Sequence, residues 1–287
     1  MIIAIASGKG GTGKTTIATS LAIVAGRNAH LLDCDVEEPN AHLFIKPKVI
    51  SRKSVSIPVP EVDPDKCNYC GKCAEVCVYN AIAVIPGKTG GKVLIFPELC
   101  HGCGACTYLC PQGALREKDK EIGFIEDGTK NGLRFTYGRL NIGEAMAPPL
   151  IRAVKEYIDP SGITLIDAPP GTSCPVITAV SGADFCILVT EPTPFGLNDL
   201  TLAVEVLKKM EIKFGVVINR ADVGDTKTDD YCAENNIPIL MRVPFSRKIA
   251  EAYSRGVPVV EALPELKSEF VALIERIKNE TDSYNKR

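Results

Sequence analysis

A glycine-rich stretch near the start of the chain constrains the fold more than any other feature. It consists of Gly8, Lys9, Gly10, Gly11, Thr12, Gly13, Lys14, Thr15 and Thr16. The spacing fits G-x-x-x-x-G-K-T, the loop that joins a strand to a helix and cradles phosphate groups. Glycines let the backbone turn sharply and aim successive N–H groups at an anion, and a helix beginning at Lys14 adds its N-terminal partial charge. Because the apolar run Ile2–Ala6 stands directly before it, the stretch predicts a buried strand, a phosphate-binding loop and a helix.

The two lysines of the stretch have different expected roles. Lys14 is expected to reach the β- and γ-phosphates of a nucleotide, and the Thr15 hydroxyl to ligate Mg²⁺. A generic phosphate loop does not need a second lysine at position 9. With Lys9, the stretch resembles the deviant-Walker subgroup of P-loop ATPases, which includes MinD, ParA, the Mrp-type cluster carriers and the nitrogenase iron protein. The resemblance implies ATP as the ligand and an ATP-dependent homodimer in which Lys9 reaches the nucleotide of the other subunit.

Three carboxylates stand at the ends of predicted strands, where open α/β sheets bind ligands. The strand around residues 30–32 ends in Asp33 and Asp35, and the strand of residues 162–166 ends in Asp167. The resemblance implies that Asp35 positions or activates the attacking water. It also implies that Asp33 holds a Mg²⁺-bound water, and that Asp167 holds Mg²⁺ through water while Gly171 senses the γ-phosphate. For Asp33, a strand-end turn or helix cap is an equally good interpretation.

A later predicted strand ends in Asn219 and Arg220, which resembles the adenine-contacting strand end of the same family. An asparagine side chain offers a donor and an acceptor and can therefore pair with the edge of a base. Pro244, followed by Phe245, is expected to close the other side of the base. The alternative for Asn219 is that it simply ends a strand.

Eight of the twelve cysteines form two copies of C-x2-C-x2-C-x3-C, the bacterial ferredoxin run. In that run the fourth cysteine ligates the other cluster, so ligation crosses over. One 4Fe–4S cluster is assigned to Cys67, Cys70, Cys73 and Cys110, and the other to Cys100, Cys103, Cys106 and Cys77. Zinc also takes four thiolates, but zinc modules usually show two separated C-x2-C pairs. Val78 stands where ferredoxins usually place a proline, a departure expected to loosen the local turn without removing the cluster.

Composition narrows the location and the partners of the chain. Thirty-three basic against thirty-five acidic residues give a net charge of -2, which offers no general field for nucleic acid. No apolar run reaches the roughly 18 residues of a membrane span, and the first apolar run is too short for a signal peptide. We therefore expect a cytoplasmic protein that binds neither nucleic acid nor membrane. The helix predicted around Phe270, Leu273 and Ile277 lacks a basic excess and is expected to pack on the sheet.

Several connecting segments are also predicted. Residues 46–64 contain four prolines and favour an extended linker that leaves the sheet. Residues 121–126 and 133–140 alternate around residues 127–132, which indicates a hairpin. Residues 144–157 are expected to form a helix broken near Pro148 and Pro149.

Together these features predict an α/β protein with a doubly wound, mostly parallel sheet and an inserted small α+β ferredoxin domain. The ATPase domain comprises residues 1–60 and 117–287, and the insert comprises residues 61–116. The expected function is Mg²⁺-dependent, slow, partner-stimulated ATP hydrolysis coupled to electron transfer by two 4Fe–4S clusters, with an unidentified redox or apo-protein partner. The alternatives are an Mrp-type factor for cluster assembly or cofactor maturation, and a positioning ATPase of the MinD or ParA type.

Overall fold

The computed structural model describes residues 1–87 and 90–282. The chain divides into two compact units. The first contains residues 1–52, 125–139 and 151–287, and the second contains residues 53–124 and 140–150. The second unit thus includes the predicted insert, 61–116, together with short flanking segments.

Nine strands form one sheet in the order β11-β10-β9-β1-β8-β2-β7-β6-β3. The pairs from β11 to β7 are all parallel. The strands are β1 (Ile2–Ala6), β2 (Ala29–Asp33), β3 (Lys48–Val62), β4 (Ile82–Gly87), β5 (Gly90–Ile95), β6 (Leu115–Lys130), β7 (Leu133–Leu140), β8 (Ile163–Asp167), β9 (Phe185–Thr190), β10 (Phe214–Asn219) and β11 (Ile239–Val243). This arrangement confirms the predicted mostly parallel α/β sheet.

Helices connect the parallel strands. They are α1 (Lys14–Ala25), α2 (Ala41–Ile45), α3 (Lys72–Glu75), α4 (Ala105–Tyr108), α5 (Ala147–Lys155), α6 (Cys174–Val180), α7 (Pro194–Lys209), α8 (Lys227–Glu234), α9 (Arg247–Ser254), α10 (Val259–Ala262) and α11 (Lys267–Asp282). Two short 3₁₀ turns lie at Gly26–Asn28 and Pro264–Leu266. No helix in the described part of the chain has the length and apolar character that crossing a bilayer requires.

The core of the first unit lies around the central strands. The side chains of Ile3, Ile5, Leu31 and Leu165 are fully buried, as expected for parallel strands covered on both faces. Helix α11 packs against α1 and β11 and buries Phe270, Leu273, Ile274 and Ile277. This confirms the prediction that the helix packs on the sheet.

The prediction of a linker over residues 46–64 is wrong. The segment forms β3, the last strand in the order of the sheet, and Pro58 and Pro60 lie within it. An edge strand accepts proline because one side of it makes no ladder hydrogen bonds. The sequence pattern showed the extended backbone but not its partner strand.

Two other segments also differ in detail from the prediction. Strand β6 continues to Lys130, so the hairpin turn consists only of Asn131 and Gly132, both with positive φ. Such an Asn-Gly pair suits the two-residue turn that matches strand twist. Helix α5 is not broken at its prolines, because it begins at Ala147 and places Pro148 and Pro149 in its first turn.

The second unit contains the paired strands β4 and β5 and the short helices α3 and α4. Its buried apolar side chains are few and include Ile57, Val59, Ala81, Ile82 and Leu115. Small units with little core depend on additional cross-links for stability.

Candidate functional site

The loop between β1 and α1 leaves no space for side chains at two of its glycines. Gly13 has φ +98°, and a Cβ there would lie 2.6 Å from the Nδ2 atom of Asn219. At Gly8, a Cβ would lie 2.2 Å from the carbonyl oxygen of Asp199 on α7. The backbone of the loop is therefore held closely between α7 and the end of β10, which fixes the direction of its N–H groups.

Lys14 is buried at the start of α1, with 6% of its surface exposed. Burial lowers the pKa of its ammonium, although the nearby carboxylates, with Asp167 first among them, act in the opposite direction. The structure therefore places a desolvated positive charge next to the glycine-rich loop. A phosphate group is the kind of ligand that such a charge and a ring of N–H donors favour.

Asp33 and Asp167 differ in how their carboxylates are used. Asp33 is fully buried, and its two oxygens accept backbone N–H bonds from Asp35 at 3.1 Å and Ala41 at 3.0 Å. Both oxygens of Asp167 are buried and have no hydrogen-bond partner among the residues described. Burial raises the pKa of Asp167 to about 7, although the Thr15 hydroxyl and Lys14 act against this shift. A cation held near Thr15 and Asp167 would satisfy these oxygens, so the donor set fits Mg²⁺.

Asp35 is half-buried in the loop after β2. Burial raises the pKa of its carboxyl to about 6, with Lys14 opposing the shift and Glu37 and Glu38 adding to it. A carboxylate in this range can accept a proton near neutral pH.

The N–H group of Gly171 is already engaged. It donates to the carbonyl oxygen of Ser7 at 3.0 Å, and Gly171 has φ +99°. The expected contact of this N–H with a γ-phosphate therefore requires that the bond to Ser7 break.

Asn219 connects the end of β10 to the glycine-rich loop. Its Nδ2 atom donates to the carbonyl oxygen of Thr12 at 2.9 Å, and its Oδ1 atom accepts from the N–H of Arg220 at 3.0 Å. One donor and one acceptor site of the amide stay free for a ligand. The guanidinium of Arg220 pairs with the buried Glu191, with 3.1 Å between Nη1 and Oε1.

Several of these groups line one cleft in the first unit, with about 1290 Å³ of empty space that extends to open solvent. The predicted residues that line it are Gly10, Gly11, Gly13, Lys14, Thr15, Thr16, Asp35, Asn219, Arg220 and Pro244. The other predicted residues of this site, Gly8, Lys9, Thr12, Asp33 and Asp167, do not line it. The cleft thus joins a phosphate-type loop at one end to the strand ends β10 and β11 at the other.

Sequence reasoning missed Glu38, Asn40, Ile249 and Tyr253, which also line the cleft. Tyr253 lies on α9 and packs its ring against Phe44, with centroids 5.0 Å apart. Burial raises the pKa of the Tyr253 hydroxyl, and Asp167 and Glu38 add to this shift. The sequence signal for Glu38 and Asn40 was their place in the polar loop that follows Asp35.

The second unit contains two cavities that are lined by cysteines. The first has about 350 Å³ of empty space, open solvent included, and is lined by Cys67, Cys70, Cys73 and Cys110. The second has about 410 Å³, again with open solvent included, and is lined by Cys77, Cys100, Cys103 and Cys106. Each cavity therefore brings together three cysteines of one sequence motif and the fourth cysteine of the other motif.

The backbone follows the same path in both motifs. Tyr69, Gly71 and Asn80 have positive φ in the first copy, and Gly102, Gly104 and Gly113 have positive φ in the second. The N–H of Ala81 donates to the sulfur of Cys77, and that of Ala114 to the sulfur of Cys110, both at 3.3 Å. The turn after Cys77 is the same as the turn after Cys110, so Val78 does not loosen it.

The remaining cysteines lie elsewhere. Cys34, Cys186 and Cys232 are buried, and Cys174 is exposed. Among the residues described, no three His, Cys, Asp or Glu side chains form a group that could hold a single metal ion.

A mostly parallel sheet with a glycine-rich phosphate loop after its central strand defines the class of P-loop nucleotide-binding proteins. The sequence model described as the CobQ/CobB/MinD/ParA nucleotide binding domain matches residues 3–259. The chain therefore belongs to the CobQ/CobB/MinD/ParA nucleotide-binding family.

Three similar proteins illustrate this membership. An uncharacterised protein of Methanocaldococcus jannaschii is 31% identical over 262 residues, which cover 89% of this chain and 90% of that protein. An iron-sulfur cluster carrier protein of Pyrococcus horikoshii is 23% identical over 297 residues, covering 96% of this chain and 85% of that protein. The septum site-determining protein MinD of P. horikoshii, solved in complex with Mg-ADP, has a TM-score of 0.54 at 21% identity and covers 96% of this chain and 95% of its own. The chain thus has the fold of a MinD-type ATPase.

Proposed function

We propose that this protein is a Mg²⁺-dependent ATPase that couples its nucleotide state to electron transfer by two 4Fe–4S clusters. One observation carries the proposal. A single chain contains a cleft built around a phosphate loop and, in its other unit, two cavities lined by crossed sets of four cysteines.

The residues of the cleft supply the groups that phosphoryl transfer to water needs. Lys14 and the loop N–H groups bind the β- and γ-phosphates, and the Asp35 carboxylate orients the attacking water. Thr15 and Asp167 would hold Mg²⁺, which would supply neutralisation of the charge on the phosphates, while Asp33 orders the turn that carries Asp35. The reaction is therefore mainly positioning and charge neutralisation.

The other end of the cleft suits a purine base. Asn219, whose amide keeps one donor and one acceptor site free, lines this end together with Arg220, and Pro244 and Phe245 supply an apolar wall. Lys9 does not line the cleft of its own subunit, which supports a role at the nucleotide of a second subunit. ATP would then hold two copies of the chain together.

The cysteine cavities fit cubane clusters better than zinc. Zinc modules usually combine two separated C-x2-C pairs. Here each cavity is lined by three cysteines of one motif and one of the other, which is the ligand pattern of two-cluster ferredoxins. Such clusters supply one-electron chemistry when bound.

Chain connectivity provides a route for coupling. Strands β3 and β6 each begin in one unit and end in the other. The loop that carries Asp35 leads through α2 directly into β3. A change at Asp35 that depends on the nucleotide can therefore act on the segment that carries the cysteines.

Analysis of the full chain after anaerobic purification tests this proposal. We expect about eight iron and eight acid-labile sulfide per chain, an EPR signal on reduction, and ATP hydrolysis that requires Mg²⁺. Zinc in place of iron, or iron without sulfide, would leave only a nucleotide switch and contradict the proposal.

A cluster-carrier role is the second candidate, because a relative that is 23% identical is named an iron-sulfur cluster carrier protein. That role requires the clusters to leave the chain. Mixing the loaded protein with an apo-ferredoxin and ATP distinguishes the two functions. An electron carrier keeps its iron and sulfide after the two proteins are separated again, whereas a carrier transfers them.

A further inference from the structure

The internal repeat allows the two cysteine cavities to be compared position by position. Each cysteine of the second motif stands 33 positions after its counterpart in the first. The same offset relates the residues that follow the cysteines, as the matching hydrogen bonds from Ala81 and Ala114 show. A difference between the cavities can therefore be assigned to individual residues.

One matched position places a carboxylate at only one of the cavities. Val84 lines the first cavity, and its counterpart in the repeat, Glu117, lines the second. The Oε1 atom of Glu117 would lie only 2.9 Å from a Cβ placed on Gly104. The carboxylate therefore lies against the loop that carries Cys103 and Cys106.

The charge of Glu117 is not balanced by a neighbour. Among the residues that the structure describes, no basic side chain forms an ion pair with Glu117. Arg116 and Lys118 alternate with it along β6 and instead reach Glu61, at 2.6 Å and 3.9 Å. Within the described part of the chain, the second cavity thus has at its wall a carboxylate without an ion-pair partner.

The first cavity has a positive side chain at a position where the second has none. Lys72 lines the first cavity, and its counterpart in the second is Ala105. Lys72 is exposed and paired with Glu75 at 3.0 Å, so its charge is largely compensated. Glu117 is therefore the main difference in charge between the two cavities.

We propose that Glu117 lowers the reduction potential of the cluster held by Cys77, Cys100, Cys103 and Cys106 below that of the other cluster. This inference rests on the proposed function, because it requires both clusters. Reduction adds one negative charge to a cluster, and a fixed carboxylate beside it opposes that charge. When a one-electron reductant supplies electrons one at a time, the cluster held by Cys67, Cys70, Cys73 and Cys110 is reduced first.

A redox titration followed by EPR tests the role of Glu117 in the reconstituted full chain. In the wild type we expect two midpoints. Glu117→Gln removes the charge and keeps the size and hydrogen bonding of the side chain. In this variant the lower midpoint potential should rise by about 59 mV, which corresponds to about a tenfold change in the ratio of reduced to oxidised cluster for one electron. Glu117→Val, which copies the first cavity, should bring the midpoints closer still. Glu61→Gln is the matched control. It removes a carboxylate that pairs with Arg116 and Lys118, the residues on either side of Glu117 in β6, and it should leave the lower midpoint potential unchanged.

Iron and sulfide content, measured on each sample, separates the possible failures. Full cluster content with a single wild-type midpoint, or with midpoints that Glu117→Gln does not move, overturns the role of Glu117 and leaves the proposed function intact. A shift of equal size in Glu61→Gln also overturns it, since a general change of charge would then be sufficient. A wild-type protein without sulfide overturns the proposed function and this inference together.

Discussion

Asp33 and Asp167 are register partners on the adjacent parallel strands β2 and β8, so two buried carboxylates lie side by side at the carboxyl edge of the sheet. Only Asp33 has hydrogen-bond donors for both oxygens, whereas Asp167 has none among the residues described. Asp33 thus organises the turn into α2, and Asp167 is left to hold a cation. The pair combines a structural carboxylate with one that is available to a ligand.

The free energy of unfolding of the ligand-free protein should depend on Asp167. Its pKa of about 7 in the folded state is raised above the ordinary value of 3.8, so the folded protein binds this proton more tightly than the unfolded chain. The contribution is present below pH 4 and is lost as the pH rises through about 7. Asp167→Asn should therefore raise the free energy of unfolding at pH 8 by up to about 4 kcal/mol, since the pKa is raised by about three units and one unit is about 1.36 kcal/mol.

Urea denaturation of wild type and Asp167→Asn at pH 5 and pH 8, without Mg²⁺ or nucleotide, measures this effect. The difference should be much smaller at pH 5. Asp119→Asn is the control for loss of an exposed carboxylate. If the two proteins differed in their free energy of unfolding by the same amount at both pH values, the pKa of Asp167 would not be raised in the folded state.

The pH profile of ATP hydrolysis should report Asp35. Its pKa is raised to about 6, and the proposed role requires the carboxylate form. Below pH 6, kcat/KM should fall by about tenfold per pH unit, because that parameter reports groups of the free enzyme. Asp35→Asn should retain ATP binding and lose most turnover. If the variant hydrolysed ATP at the wild-type rate, the attacking water would have to be oriented by another group.

The two lysines of the glycine-rich loop should be separable by substitution. Lys14→Ala should abolish nucleotide binding, because it removes the buried ammonium of the cleft. Lys9→Ala should bind ATP as the wild type does and hydrolyse it more slowly, since Lys9 lies outside the cleft of its own subunit. Equilibrium binding and turnover, measured on the same preparations, check both statements. A wild-type rate in Lys9→Ala would remove the argument for a residue acting across a dimer.

Pairs of cysteine substitutions should reveal the crossed arrangement. Cys77→Ser combined with Cys106→Ser removes two ligands of one cavity, so about half of the iron should stay bound. Cys77→Ser combined with Cys73→Ser removes one ligand from each cavity, so most of the iron should be lost. ATP binding to each variant confirms that the first unit is folded. The reverse order of iron loss would mean that each motif serves its own cluster.

Local patterns in the sequence were sufficient to predict the centre of the first unit. The apolar run before the glycine-rich loop predicted β1, because its short length and the glycines that follow it favour a buried strand. The equal spacing of cysteines predicted the same two sets that line the cavities. In both cases the partners are specified by short, rigid stretches of chain.

Features that depend on distant partners could not be predicted. Pro58 and Pro60 suggested a linker, and only the neighbouring β6 shows that they lie in an edge strand. Glu117 lies in a strand of alternating charges, and no local pattern places it beside a cavity. Tyr253 reaches the cleft from a helix far along the chain. Such contacts are set by tertiary packing rather than by propensity.

The central claim is that nucleotide and clusters influence each other within one chain. The most direct test is EPR of the reduced, anaerobically purified protein, with the midpoint potentials measured in the presence of MgATP and of MgADP. The account predicts two 4Fe–4S signals whose midpoints or line shapes differ between the two nucleotides. Identical spectra and identical midpoints with both nucleotides would contradict it.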